Sequence, residues 1–360
     1  MARSVRQVLG LSWDVLEPGD LASRSAEWDQ LVADAGYPAF MQSGFLIRAI
    51  LGFGCERGRL VLGHKRGRVV VGGIVMPTAR GQWSTYQPSQ LPLGAWLMSP
   101  DCNWHDASRS LLQVLPGFAI SLGVTQQDPR LVPRPKARAD CEVLDYVATG
   151  WIDVAGSFEE YWSARGRNLR QNLPRLRRRL EERGGRLLFE FLDQPDAVES
   201  AFLQFAALES ASWKAEGGTA ISASNQQGAF YRDMLRDLAG RGAAFAIRLT
   251  LGGQPIAVDF GVRDEETIVL LKTTYDENLK AYSPGQLLHE QAFAYVFQQR
   301  RVERIEFYGK LMEYETRWTD QSRMLFHVNF YRSPLLRAAR DLLKLTRRRA
   351  LQTPTQLAGG

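Results

Sequence analysis

The residues best placed to do chemistry in this chain form one short run, Ser283-Pro284-Gly285-Gln286, followed by Leu287. Ahead of it, the apolar residues Ile268, Val269, Leu270 and Leu271 read as a buried strand, and a polar connector over Tyr275–Tyr282 leads into a helix that extends to about Arg300. Pro284 suits the first helical position, where no N–H is needed. Ser283 is a good N-cap, and Gln286 three positions on completes an S-x-x-Q capping box. Gly285 has no side chain, so a ligand can approach its backbone closely. A strand feeding a helix N-terminus, with amides free at Gly285, Gln286 and Leu287, offers a site for anions and above all phosphates. A well-capped structural helix would carry the same residues, so the surroundings must decide.

The 360 residues bear a formal net charge of +6, unevenly spread. Arg165–Arg186, RGRNLRQNLPRLRRRLEERGGR, holds nine arginines against Glu181 and Glu182, and a second basic stretch, Arg332–Arg349, closes with Arg347, Arg348 and Arg349. Such clusters attract phosphates, acidic substrates, nucleic acid or an anionic membrane surface, and a solvated helical face would look the same. With 45% hydrophobic and 23% charged residues the chain can bury real cores, and its length suggests two domains. No apolar run approaches the roughly 20 residues of a membrane-spanning helix. Trp13, Asp14 and Glu17 interrupt any signal-peptide core. Cys55, Cys102 and Cys141 are far apart and the four histidines each stand alone, so neither a disulfide framework nor a metal site is expected. The expected setting is the cytoplasm, with peripheral contact to the inner membrane face through the basic segments.

The chain repeats itself. Arg59–Tyr86 and Ala246–Lys272 each read as strand, tight turn, strand, tight turn, strand, with Gly67 and Gly253 in the first turns. Self-similarity at half the chain length suggests two copies of one domain. The second copy has the S-P-G-Q helix start, whereas the first has the proline-rich Gln87–Met98 and a later helix near Asp106–Leu115. The expected division is therefore 1–145, a degenerate first domain; 146–332, the reactive domain; and 333–360, a basic helical tail with a disordered end. A helix from Pro174 to Arg183, started by Pro174, and strands at Tyr146–Val154, Val302–Tyr308 and Met324–Tyr331 complete the second copy, and the loop Glu216–Gln227 is Gly/Ser-rich.

These motifs resemble the GNAT acyltransferase fold. In order, Lys272, Tyr275 and Asp276, then Ser283, Pro284 and Gly285, then Glu306, then Tyr314 and Trp318 look like the signature of CelD-type acetyltransferase domains, polysaccharide-associated relatives of the Fem-type peptidyltransferases. Arg167–Leu180 looks like that family's arginine-rich helix, and the likeness covers about Phe158–Arg332. Two positions depart from the pattern: Glu306 replaces an aspartate, and Glu315 stands where the family usually has lysine. The resemblance implies an α+β protein of tandem GNAT-like domains, each a mixed, mostly antiparallel sheet flanked by helices. It implies acetyl-CoA or another acyl-CoA as co-substrate, no metal, and a pyrophosphate held near Ser283 by the amides of Gly285, Gln286 and Leu287. The acceptor would be an amine or hydroxyl of a small molecule, amino sugar or polysaccharide precursor. On this likeness Asp276 is the candidate base or amine binder with Glu306 second, and Tyr275 is the candidate acid. Lys272 and Arg317 would orient an acidic acceptor or a CoA phosphate, and Tyr314 and Trp318 would touch substrate. Asp276 also reads as a plain turn former, Tyr275 as core and Trp318 as packing. A Fem-like aminoacyl-tRNA donor, or a non-catalytic protein held by its basic faces, are the alternatives.

Overall fold

Strand and turn chemistry set the frame. The computed structural model describes residues 6–213 and 217–342; Glu216 and the Arg347–Arg349 cluster lie outside them. The strands are β1 (Arg6–Val8), β2 (Leu11–Leu16), β3 (Arg59–Lys65), β4 (Arg68–Ala79), β5 (Gln82–Thr85), β6 (Trp96–Met98), β7 (Ser121–Gln127), β8 (Cys141–Asp153), β9 (Leu187–Leu192), β10 (Ala244–Leu251), β11 (Gln254–Arg263), β12 (Thr267–Tyr275), β13 (Arg304–Glu306) and β14 (Ser322–Tyr331). The helices are α1 (Ser25–Asp34), α2 (Ser43–Phe53), α3 (Trp104–Val114), α4 (Phe158–Ser163), α5 (Arg167–Gly184), α6 (Pro195–Ser210), α7 (Gln226–Ala239) and α8 (Pro284–Gln299), with residues 334–342 also helical. Among the described residues the strands join in one mixed, mostly antiparallel sheet, β1-β2-β3-β4-β5-β7-β14-β8-β13-β12-β11-β10-β9, with β6 paired to β4.

Both meanders form, β3–β4–β5 and β10–β11–β12. Their first turns have positive φ at two successive residues, +52° and +78° at Arg66 and Gly67, +55° and +84° at Gly252 and Gly253. That mirrored geometry matches the right-handed twist of paired strands, and glycine enters it without a Cβ clash. Each meander then makes a parallel pairing across a helix, β5 with β7 across α3 and β12 with β13 across α8. The two halves therefore repeat the same strand order.

They differ in what fills the gap beyond the parallel pair. In the first half, residues 87–98 close it: the Gly94 N–H donates to the Gln126 carbonyl at 3.4 Å, and the hydroxyls of Thr85 and Thr125 pair at 2.7 Å. A Cβ on Gly94 would lie 2.4 Å from the Thr125 carbonyl oxygen, so only glycine lets the backbones meet here.

The halves also interlock. β8 crosses residues 145 and 146, pairing with β14 over Cys141–Gly150 and with β13 over Trp151–Asp153. β14, from the second half of the sequence, lies between β8 and β7 of the first. The largest apolar core spans both halves, with Phe45 and Phe53 of α2 set 5.5 and 5.0 Å from Phe230 of α7, ring centre to ring centre. A ring as fully buried as Phe45 contributes about 1.5–3 kcal/mol. One helix differs from expectation: α5 begins at Arg167 rather than Pro174, and Pro174 sits inside it on the solvent side. Leu169, Leu173 and Leu180 bury one stripe of α5, and that burial outweighs the single backbone hydrogen bond a proline removes.

Candidate active site

The second half keeps its gap open. β12 and β13 pair over only three positions, ending at Val269 and Glu306, and then part. Leu271 is the extra residue of a bulge: Phe260 pairs with Lys272 and Gly261 with Leu270. A bulge bends its strand and re-aims its side chains, here at the point where the neighbour departs. A cavity of about 230 Å³ opens in the gap, with Lys272, His289, Tyr308, Lys310, Tyr314 and Glu315 on its walls. A second cavity of about 260 Å³ shares Lys272, Tyr308 and Lys310 and reaches Gln90 and Gln126 of the first half. Lys272 also lies over the Tyr231 ring, 5.9 Å from its centre. Burial raises the pKa of the Glu315 carboxyl despite hydrogen bonds from the Met312 N–H and Tyr314 hydroxyl. Burial likewise raises Tyr314, with the Glu315 and Asp259 carboxylates adding to the effect.

A groove of about 530 Å³ runs past the start of α8, lined by Ser283, Gln286, Arg317, Arg165, Asn168 and Asn172 among others. The helix start is built differently from the expected capping box. Ser283 is left-handed, with φ of +52° and ψ of +53°, and its hydroxyl caps nothing. In that conformation its carbonyl takes the N–H groups of Gln286 and Leu287 at 3.0 and 3.1 Å. The expected free amides at Gln286 and Leu287 are thus engaged, and Leu287 is core at 1% exposure. Pro284 has no N–H, which leaves the Gly285 N–H as the one without a hydrogen bond at this turn. The Gln286 side chain does not reach back to Ser283 but accepts from Trp318 Nε1 at 2.9 Å.

The remaining expected residues divide. Tyr275 packs its ring against Gly285, 3.6 Å from where a Cβ would stand, and burial followed by the Glu277 carboxylate raises its pKa. Asp276 caps the turn Glu277–Tyr282, its Oδ1 accepting from the Asn278 backbone at 2.9 Å. It lines neither the groove nor the two cavities above. Trp318 is fully buried between Trp162 and Phe293, so it supports the groove from beneath rather than facing a substrate. Glu306 is also fully buried. Its Oε2 accepts from Arg323 Nη2 at 2.8 Å, and Arg323 donates to Asp128 Oδ1 and Oδ2 through Nε and Nη2 at 2.7 and 2.5 Å. The Tyr308 hydroxyl donates to Asp128 at 2.8 Å. Glu306 therefore belongs to a cluster that ties β13 and β14 to the end of β7, out of reach of an acceptor.

Several site residues escaped sequence reasoning. Asn168 and Asn172 reach the groove because α5 crosses it, tied to α8 by the Arg177–Glu290 ion pair at 2.6 Å, and Arg165 reaches it from the connector just before α5. His289 Nε2 meets Asp259 Oδ2 at 2.8 Å, both side chains almost wholly buried. Signals existed: Asp259 interrupts the apolar strand sequence Ile256–Val262, and His289 falls three residues after Gln286, on the same helical face.

Residues 167–316 match the family model described as Acetyltransferase (GNAT) domain. That description covers GNAT domains at large and does not single out the CelD type. A search of curated proteins found no sequence relative. Among solved structures, the chain is similar to the C-terminal domain of a protein assigned as lysylphosphatidylglycerol synthetase in Agrobacterium fabrum, with 11% identity, 90% of this chain and 96% of that one covered, and a TM-score of 0.58. It is similar to FemX, with 8% identity, 87% and 98% covered, and a TM-score of 0.55. It is similar to L-PGS from Bacillus licheniformis, with 11% identity, 89% and 96% covered, and a TM-score of 0.50. Both halves of the chain thus follow a fold already seen in these proteins, and the stretch from 167 to 316, which carries most of the groove and the open strand gap, is similar to GNAT acetyltransferase domains.

Proposed function

We propose that this protein transfers an acyl group from acetyl-CoA or another acyl-CoA to an amine or hydroxyl of a small molecule, amino sugar or polysaccharide precursor. The observation that carries this reading is the groove at the start of α8, lined by Arg165, Arg317, Asn168 and Asn172 together with Ser283 and Gln286, the residues on either side of Pro284 and the unpartnered Gly285 N–H. A backbone N–H at a helix start and two guanidinium groups suit a diphosphate. The groove and the strand gap flank the same two elements: Gln286 and His289 stand one turn apart on α8, and Thr316 follows Glu315. A donor with its phosphates in the groove can therefore place its thioester between β12 and β13. The acceptor enters from the cavity that reaches the first half, where Lys272 and Lys310 orient an acidic group. Tyr275, packed beside Gly285, is the acid for the departing thiolate.

Calorimetry with acetyl-CoA tests the donor. Saturable binding that weakens tenfold or more in Gly285→Glu is the expected result, since a carboxylate beside that N–H opposes the donor's charge; a tenfold loss corresponds to about 1.4 kcal/mol. Absence of binding by the native protein refutes it. A second reading rests on α5, whose Arg175, Arg178, Arg179 and Arg183 are exposed in a row beside the groove. They suit an aminoacyl-tRNA donor, and steeply salt-dependent tRNA binding without acetyl-CoA binding would favour it. Binding only to anionic vesicles would instead favour a non-catalytic role.

A further inference from the structure

We propose that His289, oriented by Asp259, is the group that takes the proton from the acceptor. The assignment rests on the acyl-CoA reading above. Asp259 lies on β11 and His289 on α8, and neither has a place in the sequence motifs that suggested that reading. Their contact, Asp259 Oδ2 to His289 Nε2, is 2.8 Å. The side chains are 0% and 3% exposed. The contact occupies one imidazole nitrogen and one carboxylate oxygen. The other two, His289 Nδ1 and Asp259 Oδ1, are buried with no hydrogen-bond partner. A buried polar atom left unpaired costs about 1–3 kcal/mol. The rest of the environment is a packing surface: Phe293 stacks on the imidazole, ring centres 5.3 Å apart, and Trp318 meets it edge-on at 6.1 Å. A pair serving only to hold α8 against β11 would be better replaced by two apolar side chains. Yet His289 stands on the wall of the cavity between the parted strands, where the reacting carbon of the donor would lie. The unpartnered nitrogen is what an acceptor N–H or O–H needs there.

The step balances without another reagent. The acceptor atom forms its bond to the acyl carbon as its proton moves to the imidazole. Asp259 stabilises the resulting imidazolium and fixes the ring. The carbon–sulfur bond breaks, the sulfur leaves with the electron pair, and the imidazolium or Tyr275 supplies the proton that makes the free thiol. Tyr275 can act in this way only if its own proton is then restored by the imidazolium, so one proton passes from acceptor to sulfur on either route. The charged and titratable groups facing His289 are Asp259 from β11, Lys272 from β12, and Tyr308, Lys310, Tyr314 and Glu315 from the segment after β13.

The test uses the full chain, acetyl-CoA and glucosamine or ethanolamine as probe acceptors, with release of free thiol as the readout. His289→Gln is expected to bind acetyl-CoA as the native protein does while its kcat falls about 10²–10⁴-fold, the range of a lost general base. The acid limb of the native kcat–pH profile should vanish with it. Asp259→Asn should keep that limb, shifted, with a smaller loss; it keeps side-chain shape and serves as the deciding variant should His289→Gln fail to fold. A His289→Gln protein with kcat within threefold of native and an unchanged limb overturns the assignment while leaving the donor reading intact. A native protein that neither binds acetyl-CoA nor releases thiol overturns both.

Discussion

Replacing Arg323 with methionine should weaken the fold and change how it responds to acid. Arg323 is 11% exposed in its side chain and faces two carboxylates, Asp128 and Glu306, that are 0% exposed. Methionine keeps much of the volume and removes the charge. Arg130 and Arg304 approach Glu306 only at 3.9 and 3.7 Å, too far to replace the lost hydrogen bonds, although Tyr308 still donates to Asp128. Breaking a buried pair from one side costs about 3–5 kcal/mol, and the remaining neighbours place this case near the lower end, about 3 kcal/mol. The pH dependence follows from two opposed shifts. For Asp128, burial pushes the pKa up, but the hydrogen bonds and charge of Arg323 outweigh it and hold the carboxyl below its ordinary range. Its contribution is thus present above the unfolded pKa of about 3.9 and lost as pH falls through the lower folded value. For Glu306, burial prevails over Arg323 and the pKa is raised, so the folded state gains from its protonation as pH falls. Without Arg323, burial of both carboxyls meets only the weaker opposition of Tyr308 and the Arg130 N–H at Asp128 and of the more distant Arg130 at Glu306, so both carboxyls shift upward. The deficit of Arg323→Met in urea unfolding should therefore be largest near pH 7 and shrink toward pH 5. A deficit below 1 kcal/mol at pH 7, or one that grows on acidification, would refute the reasoning.

Two further substitutions probe how the site is held. Trp318→Phe keeps the ring but removes the hydrogen bond to Gln286 Oε1, worth about 0.5–1.5 kcal/mol; acetyl-CoA affinity should fall two- to tenfold, and unchanged affinity and melting temperature would detach Trp318 from the groove. Asp276→Asn should leave turnover within twofold, because its oxygen serves the turn and the amide retains an acceptor; Asp276→Ala should cost about 1 kcal/mol of stability. A hundredfold loss of turnover in Asp276→Asn at unchanged fold would restore Asp276 as the base.

Local signals carried far in this chain. The two meanders were legible because Gly67 and Gly253 mark tight turns between strands of alternating or apolar pattern, and those turns do adopt left-handed backbone. The strand–helix unit from Thr267 to Gln299 was legible for the same reason, down to Pro284 at the first helical position. The capping box was misread because Ser283 and Gln286 have the right spacing but not the right backbone: once Ser283 turns left-handed, Gln286 is free to meet Trp318, thirty-two residues away. Glu306 matched a sequence motif, yet the residues that decide its role, Arg323 and Asp128, come from β14 and the end of β7.

By itself, then, the sequence determined the repeated elements, their order and the glycine-marked helix start, because turn conformation and hydrophobic period act over a few residues. Only the tertiary structure decided that β14 crosses into the first half's sheet, that residues 87–98 close one strand gap while the other stays open, and that His289 meets Asp259 there. Those outcomes depend on pairing and packing between segments 30 to 200 residues apart, for which no short stretch of side chains carries a local preference.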